Sequence, residues 1–142
     1  MKRKAFCLLL FLFVCESLFE QKIIERKPYK LPTTWELFVD ALIFVESRGN
    51  ENAVGDKNDV GILQITPIYV KEVNRILGET VYYLEDRYDK EKSLEMFEII
   101  QTYRNPQRDI NKAIKLHNPR AGKQYAYKIK EQMDILRTKI NI

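Results

Sequence analysis

The chain has 142 residues, a formal net charge of +4, and 45% hydrophobic and 31% charged residues, which is ordinary for one globular domain. One histidine and two cysteines, Cys7 and Cys15, argue against a zinc site, a disulfide framework or a nucleophilic triad in the rest of the chain. There is no glycine-rich phosphate loop, and basic residues alternate with acidic ones over most of the chain. We therefore expect no cofactor, no metal and no nucleic-acid partner.

The N-terminus has the pattern of an export signal. A basic segment, residues 2–4, precedes an uncharged apolar run at residues 5–14 that is short for a membrane span. We predict a signal segment at residues 1–17. An alternative interpretation makes Cys15 the acylated first residue of a lipoprotein, since residues 12–15 resemble a lipobox. Both interpretations predict export to the periplasm or the cell envelope, in the second case with a lipid anchor on Cys15.

The first helix of the domain has a clear start signal. Residues 18–32 carry two prolines and dense charge, which is typical of a linker, and residues 33–142 would form the domain. Thr33 and Glu36 have the spacing of a capping box, with Thr33 as the N-cap. This predicts a helix from about residue 34 to residue 47 or 48.

Four further helices are predicted from apolar residues at helical spacing and from the prolines and glycines that interrupt them. Leu77 and Tyr103 are among the side chains expected to point inward. We place these helices at residues 67–77, 90–103, 109–117 and from 122 onward, with an irregular loop or small hairpin at residues 50–59. The predicted fold is a mainly α single domain of about five helices.

Glu46 lies at an unusual position in the first helix. It continues the i, i+3, i+4 stripe formed by Trp35, Phe38 and Leu42, and acids are rare on a core-facing stripe. The alternative is that Glu46 is exposed just past the last turn or pairs with Arg48. The negative end of the helix dipole and apolar neighbours both disfavour a charged carboxylate, which suits a proton donor. Glu46 is therefore our candidate general acid.

A glycosidase that adds water generally needs a second carboxylate about 5–9.5 Å from the first. The candidates are Asp56, Asp59 and Asp86, and the first two lie in a loop whose turns already account for them. The lack of a prominent second acid favours a reaction in which the substrate supplies the second group.

Three segments carry a family resemblance. They are Glu46-Ser-Arg-Gly-Asn50, Gly61-Ile-Leu-Gln-Ile65, and Leu116-His-Asn118 followed by Tyr125-Ala-Tyr-Lys-Ile129. Together they resemble the lytic transglycosylase (SLT) domain of the goose-type lysozyme-like superfamily, over roughly residues 35–136. The third segment departs from the family pattern, because His117 stands where an aromatic residue is usual.

The resemblance implies a lysozyme-like fold and a set of site residues. Glu46 would be the catalytic acid and base, and Tyr125 would also steady its carboxyl group. The substrate-binding residues implied are Ser47, Gln64, Ile65, His117, Asn118 and Tyr125. Several of these have a local alternative: Ser47 as a helix cap, Gln64 as a brace for the loop, Asn118 as the start of a turn and Tyr125 as plain core. His117 is interpreted as a partly buried stand-in for an aromatic residue and not as a base.

The implied function is cleavage of the peptidoglycan β-1,4 bond between N-acetylmuramic acid and N-acetylglucosamine, with a 1,6-anhydro product. The alternatives are a lysozyme-type muramidase that uses water and a non-catalytic cell-wall-binding or assembly protein. The expected partners are the glycan strand and a membrane or cell-envelope apparatus. From Gln107 onward the sequence has nine Lys and Arg residues and three acidic residues. This excess of positive charge favours binding to an anionic polymer or membrane surface, and a solvated helix face is the alternative.

Overall fold

The computed structural model describes residues 30–140. The predicted signal segment, Cys15 and nearly all of the predicted linker lie outside the described residues. The elements are α1 Thr34–Ser47, α2 Pro67–Leu77, a 3₁₀ helix Leu84–Tyr88, α3 Lys90–Arg104, α4 Ile110–His117 and α5 Lys123–Ile140. Residues 30–140 thus contain five α-helices and no named strand. The predicted mainly α fold is confirmed.

Helix α1 begins and ends where its sequence signals place it. The Thr33 hydroxyl accepts the Glu36 backbone N–H at 3.2 Å, and the Glu36 carboxylate accepts the Thr33 N–H at 2.6 Å. At the other end Arg48 adopts a left-handed conformation with φ 55°, and its N–H reaches the Phe44 carbonyl. Both ends therefore satisfy backbone groups that a helix terminus leaves unpaired. They fix Glu46 in the last turn.

The other helices begin and end close to the predicted residues, but two side chains expected to be buried are exposed. Helix α2 has Pro67 in its first turn and ends at Gly78, which has φ 79°. Leu77 and Tyr103, predicted to point inward, are 39% and 62% exposed. On α2, Ile76 packs against the core instead. Only one stripe of a helix packs against the core. An apolar residue at the end of the helix can therefore lie outside that stripe of contact.

The core joins α1, α3 and the apolar segment between α1 and α2. Helix α1 packs on α5, and α2 packs on α3. Phe38 of α1 and Phe97 of α3 are fully buried with ring centroids 6.4 Å apart, and Trp35 stacks on Phe97 at 6.1 Å. Burying such rings gives roughly 2–3 kcal/mol each, and more where they contact one another. This packing holds the first half of α1 against α3.

The loop between α1 and α2 is irregular, as predicted for its first part. Two isolated antiparallel bridges join Val60 to Val54 and to Ile65. Gly61 has φ 78°, and a Cβ atom at this position would lie 1.9 Å from the Arg87 carbonyl oxygen. Glycine is therefore required here for both its conformation and its lack of a side chain.

Candidate functional site

Glu46 lies at the boundary between core and solvent, with its side chain 15% exposed. One carboxylate oxygen, Oε1, accepts a hydrogen bond from the Tyr125 hydroxyl and lies 3.2 Å from Nε2 of His117. The carboxylate is thus directed toward α4 and α5, and not toward Arg48. Residues from three helices meet at this one oxygen.

Tyr125 reaches Glu46 from the first turn of α5. Burial raises the pKa of the Tyr125 phenol well above its usual range, and the negative charge and hydrogen bond of Glu46 raise this pKa further. The phenol therefore keeps its proton over the whole working range of an enzyme. It acts as a permanent hydrogen-bond donor to the carboxylate.

His117 forms the inner wall of the site. Its side chain is 4% exposed and lies between the rings of Tyr69 and Phe97, each with a centroid 5.8 Å from the imidazole centroid in an edge-on arrangement. The His117 Nδ1 atom and the Tyr69 hydroxyl are buried and have no hydrogen-bond partner among residues 30–140. Burial raises the pKa of the Tyr69 phenol, and the charge of Glu98 adds to this effect. The wall is therefore aromatic and buried.

Ser47 connects the end of α1 to the following loop. Its hydroxyl donates to the Ile62 carbonyl at 2.9 Å and accepts the Gly49 N–H at 3.1 Å. These bonds explain a small hydroxyl residue directly after the acid without any ligand. The predicted role of Ser47 in substrate binding stays a prediction.

Gln64 and Ile65 lie in the loop that Ser47 holds. Gln64 has φ 48°, and its side-chain amide donates to the carbonyls of Gly61 at 3.0 Å and Ala53 at 3.3 Å. Ile65 is fully buried in the core. The Gln64 amide therefore braces the loop, whereas the Ile65 side chain is enclosed and cannot contact a ligand directly. Substrate binding by Gln64 stays a prediction.

Asn118 follows α4 and forms a turn. Its side-chain oxygen accepts the Arg120 N–H at 3.2 Å, and its carbonyl accepts the Ala121 N–H at 2.9 Å. The turn reverses the chain into α5 and so brings Tyr125 back toward His117. Asn118 is half-buried, and its predicted contact with substrate stays a prediction.

Arg87 is a structural residue of the site region that the sequence did not reveal. It is 5% exposed, and its guanidinium donates to the carbonyls of Leu84 at 2.7 Å, Asn58 at 2.7 Å and Ile65 at 3.2 Å. It thereby holds the loop that contains Gln64. Its sequence neighbours are acidic and aromatic, so it resembled a surface residue, and no spacing indicated its carbonyl partners.

Two of the three acids considered as a second carboxylate have local partners. Asp59 accepts the Lys57 N–H at 2.9 Å within its own loop. Asp86 accepts the Tyr83 N–H at 2.7 Å and pairs with Lys92 at 2.6 Å, and these bonds hold its pKa below the usual range. Asp56 is exposed. The contacts at the site thus contain one carboxylate, Glu46.

Among residues 30–140, no group of three or more His, Cys, Asp or Glu side chains is arranged to hold a metal ion. No helix in the same part of the chain is long and apolar enough to cross a membrane.

The arrangement can exchange a proton with a bound molecule at one carboxyl group. Oε1 of Glu46 accepts the Tyr125 hydroxyl and lies 3.2 Å from Nε2 of His117, and the Glu46 side chain remains partly exposed to solvent. A carboxyl group in such an environment suits general acid and base catalysis.

Comparison with known protein families identifies a family that matches most of the chain. The family model described as Transglycosylase SLT domain matches residues 23–125, which is well over half of the chain and includes Glu46 and Tyr125. Comparisons with curated proteins and with solved structures returned no match.

Proposed function

Because the chain belongs to the transglycosylase SLT domain family of the lysozyme-like superfamily, we propose that it is a peptidoglycan lytic transglycosylase with Glu46 as its acid and base. The family supports an action on peptidoglycan. The observation that supports Glu46 in particular is its single carboxylate, held through Oε1 by the hydroxyl of the partly buried Tyr125 beside the buried imidazole of His117.

The proposed reaction has two proton transfers at Glu46. First, the Glu46 carboxyl group gives its proton to the oxygen that links C1 of N-acetylmuramic acid to N-acetylglucosamine. The C1–O bond breaks and positive charge develops at C1. The Glu46 carboxylate then removes the proton of the muramoyl 6-hydroxyl while O6 bonds to C1. The product is the 1,6-anhydro ring, no water is consumed, and Glu46 regains its proton.

The Tyr125 hydroxyl would serve both steps. A donor to a carboxylate favours its charged form, so Tyr125 assists the loss of the proton in the first step. It also fixes the direction of the carboxyl group. A positioned general acid contributes about 10²- to 10⁴-fold in rate, and much of that depends on geometry.

The test uses purified peptidoglycan and mass spectrometry. We expect the wild-type protein to release anhydro-muropeptides and Glu46→Gln to release at least 100-fold less, with an unchanged fold by circular dichroism. Glu51→Gln, at an exposed position five residues later, is the matched control and should keep full activity. Products heavier by one water would show a muramidase, and binding without products would show a cell-wall-binding protein.

A basic surface supports an anionic partner at the cell envelope. The exposed cations of α4, α5 and the turn between them are Lys112, Lys115, Arg120, Lys123, Lys128, Lys130, Arg137 and Lys139. Among ion pairs within residues 30–140, only Arg137 of this set takes part, with Asp134 at 3.0 Å. The proposal is that this basic surface faces the anionic wall polymer or a membrane surface of the cell envelope.

Salt dependence tests the basic surface. Binding to isolated cell-wall sacculi should weaken about 5-fold at low ionic strength in a Lys128→Gln, Lys130→Gln double variant, and the difference should shrink at high salt. The control carries Lys71→Gln and Lys90→Gln on exposed positions of α2 and α3. Equal binding by both double variants would contradict the proposal.

Export to the periplasm or cell envelope, with residues 1–17 as signal or Cys15 as lipid anchor, is likewise proposed. Cell fractionation with mass spectrometry of the mature N-terminus decides between the two forms, and an uncleaved cytosolic chain would contradict both.

A further inference from the structure

Arg87 is a buried cation whose hydrogen bonds go to backbone carbonyl groups. Its Nε atom donates to the carbonyl of Leu84 at 2.7 Å, and its Nη1 atom donates to those of Asn58 at 2.7 Å and Ile65 at 3.2 Å. No ion pair within residues 30–140 includes Arg87. A buried guanidinium is costly unless acceptors converge on it, so these carbonyls hold the loop at residues 58 and 65 against the 3₁₀ helix.

The main chain of Arg87 gives the same loop a second attachment. The fully buried Ser93 hydroxyl donates to the Arg87 carbonyl oxygen at 2.9 Å and so fixes this oxygen. A Cβ atom at Gly61 would lie 1.9 Å from the same oxygen, which means that the loop backbone packs directly against residue 87. Arg87 therefore contacts the loop through both its side chain and its main chain.

The loop is also attached to the last turn of α1, which carries the proposed acid. The hydroxyl of Ser47, one residue after Glu46, donates to the Ile62 carbonyl at 2.9 Å. Ile62 and Ile65 lie in one short segment of the loop. A change at Arg87 is therefore transmitted to the backbone beside Glu46 through only a few residues.

The carboxyl group of Glu46 is held by a different element. Tyr125 of α5 donates to Oε1, and no hydrogen bond within the described residues joins Arg87 to Glu46 or Tyr125. The loop borders the acid through the main chain of α1, whereas α5 borders it at the carboxyl group itself. The two attachments can therefore be altered separately.

The loop also offers a surface to a ligand. Val54 is 69% exposed and pairs with Val60 in an antiparallel bridge. Gln64 is half-buried, and its amide donates to the carbonyl of Ala53, the neighbour of Val54. An apolar side chain beside polar groups of fixed direction suits a sugar, which presents C–H faces and hydroxyl groups.

We propose that Arg87 is a positioning residue for glycan binding: it fixes residues 53–65 as one wall of the glycan site next to Glu46. This inference rests on the proposed function of Glu46. The wall holds the sugar strand and Tyr125 orients the acid, so that binding and proton transfer depend on different elements of the fold. Arg87 acts through the loop and does not touch the glycan, because its side chain is buried.

Arginine suits this role for a geometric reason. A guanidinium group presents several N–H donors in a rigid plane, whereas the ammonium group of lysine is a single point of charge. At residue 87 one guanidinium serves three carbonyls from two segments of the chain. An apolar side chain would fill the space but would leave these carbonyls unpaired. Its expected effect is a looser loop.

The first experiment follows the loop directly and needs no substrate. Arg87→Met and Ile100→Ala are compared with the wild-type full-length protein by hydrogen–deuterium exchange and mass spectrometry. Ile100 is a buried residue of α3, and its truncation weakens the whole fold without removing a hydrogen bond to the loop. Exchange at residues 53–65 should be about 10-fold faster in Arg87→Met than in Ile100→Ala, because the lost contacts are local. Equal exchange of this segment in the two variants would overturn the proposal.

The second experiment separates binding from proton transfer with soluble, uncrosslinked glycan strands, under conditions in which both variants are folded. Arg87→Met should raise KM about 10-fold and change kcat less than about 2-fold, since the loop is loosened while the bond between Tyr125 and Glu46 is kept. Ile100→Ala should keep both constants close to those of the wild type. A lower kcat with an unchanged KM in Arg87→Met, or no change in either constant, would overturn the proposal.

Arg87→Lys provides a milder variant that keeps the positive charge and replaces the guanidinium with one ammonium group. It should raise KM by about 3-fold, and it decides the question if Arg87→Met fails to fold. Wild-type KM together with wild-type exchange of the loop in Arg87→Lys would then overturn the proposal. An inactive wild-type protein would contradict the proposed function, and exchange at residues 53–65 would show separately whether Arg87 fixes the loop.

Discussion

The hydroxyl group of Tyr125 donates a hydrogen bond to the Glu46 carboxylate across 79 positions of sequence. This bond joins the last turn of α1 to the first turn of α5, two helices that pack against each other. The pairing explains how a lone acid at a helix end is held in one orientation. It also makes α5 part of the proposed site and not only of the scaffold.

Replacing Tyr125 by phenylalanine should lower the rate of peptidoglycan cleavage by about 10-fold, because one hydrogen bond to a charged group is lost while the ring remains. Tyr127→Phe is the control, since Tyr127 lies on the same helix and is 66% exposed. Release of muropeptides by both variants should be compared under saturating substrate. A Tyr125→Phe enzyme as fast as the wild type would show that the bond does not contribute.

Replacing Arg87 by methionine should lower the free energy of unfolding by about 3 kcal/mol, because three backbone carbonyls lose a charged donor. Urea denaturation followed by circular dichroism measures this. Arg104→Met removes an exposed ion pair with Glu72 and should cost less than about 1 kcal/mol. Similar losses in the two variants would mean that Arg87 does not hold the loop.

Glu72 should make stability depend on pH in the acidic range. Its carboxylate joins Arg75 of α2 to Arg104 of α3, and the hydrogen bond from Arg75, followed by those of Arg104, lowers the Glu72 pKa from 4.5 to about 2. A lowered pKa stabilises the fold above the unfolded value, and this contribution is lost as pH falls from about 4.5 to about 2. Solvent screening limits it to at most about 1 kcal/mol.

The measurement compares wild type with Glu72→Gln by thermal denaturation between pH 2 and pH 7. The difference between them should be present at pH 7 and should fade below pH 4.5. Glu79→Gln, at an exposed position after α2, should show no such trend. A Glu72→Gln difference that is the same at pH 2 and pH 7 would contradict the assignment.

Much of the fold was predictable because it depends on short-range rules. Thr33 and Glu36 specified the start of α1, and Pro67 and Gly78 bounded α2, since capping and backbone conformation involve residues a few positions apart. The faces of the helices were less predictable. Leu77 and Tyr103 continue the apolar spacing of their helices yet are exposed, because burial depends on tertiary contacts and not on spacing alone.

The residues of the proposed site likewise differ in how far the sequence predicted their roles. Glu46 stood out in the sequence as an acid on an apolar stripe, and the segments around it carried the family resemblance that the family match now supports. The roles suggested for Ser47 and Gln64 were open between ligand and loop, and their observed bonds are with the loop. The role of Arg87 could not be predicted from the sequence, because its partners are backbone carbonyl groups, which every residue has.

The sequence by itself determined the helical architecture, the family and the acid at the end of α1, because periodicity, caps and motifs are local properties. Only the tertiary structure decided that Tyr125 and His117 meet at the same oxygen of Glu46, while the side chain stays partly exposed. This meeting of side chains depends on how α4 and α5 fold back onto α1, and on which atoms are buried there. The sequence alone identifies the carboxylate of Glu46 as a candidate acid. Its contacts with other side chains form only when the helices pack.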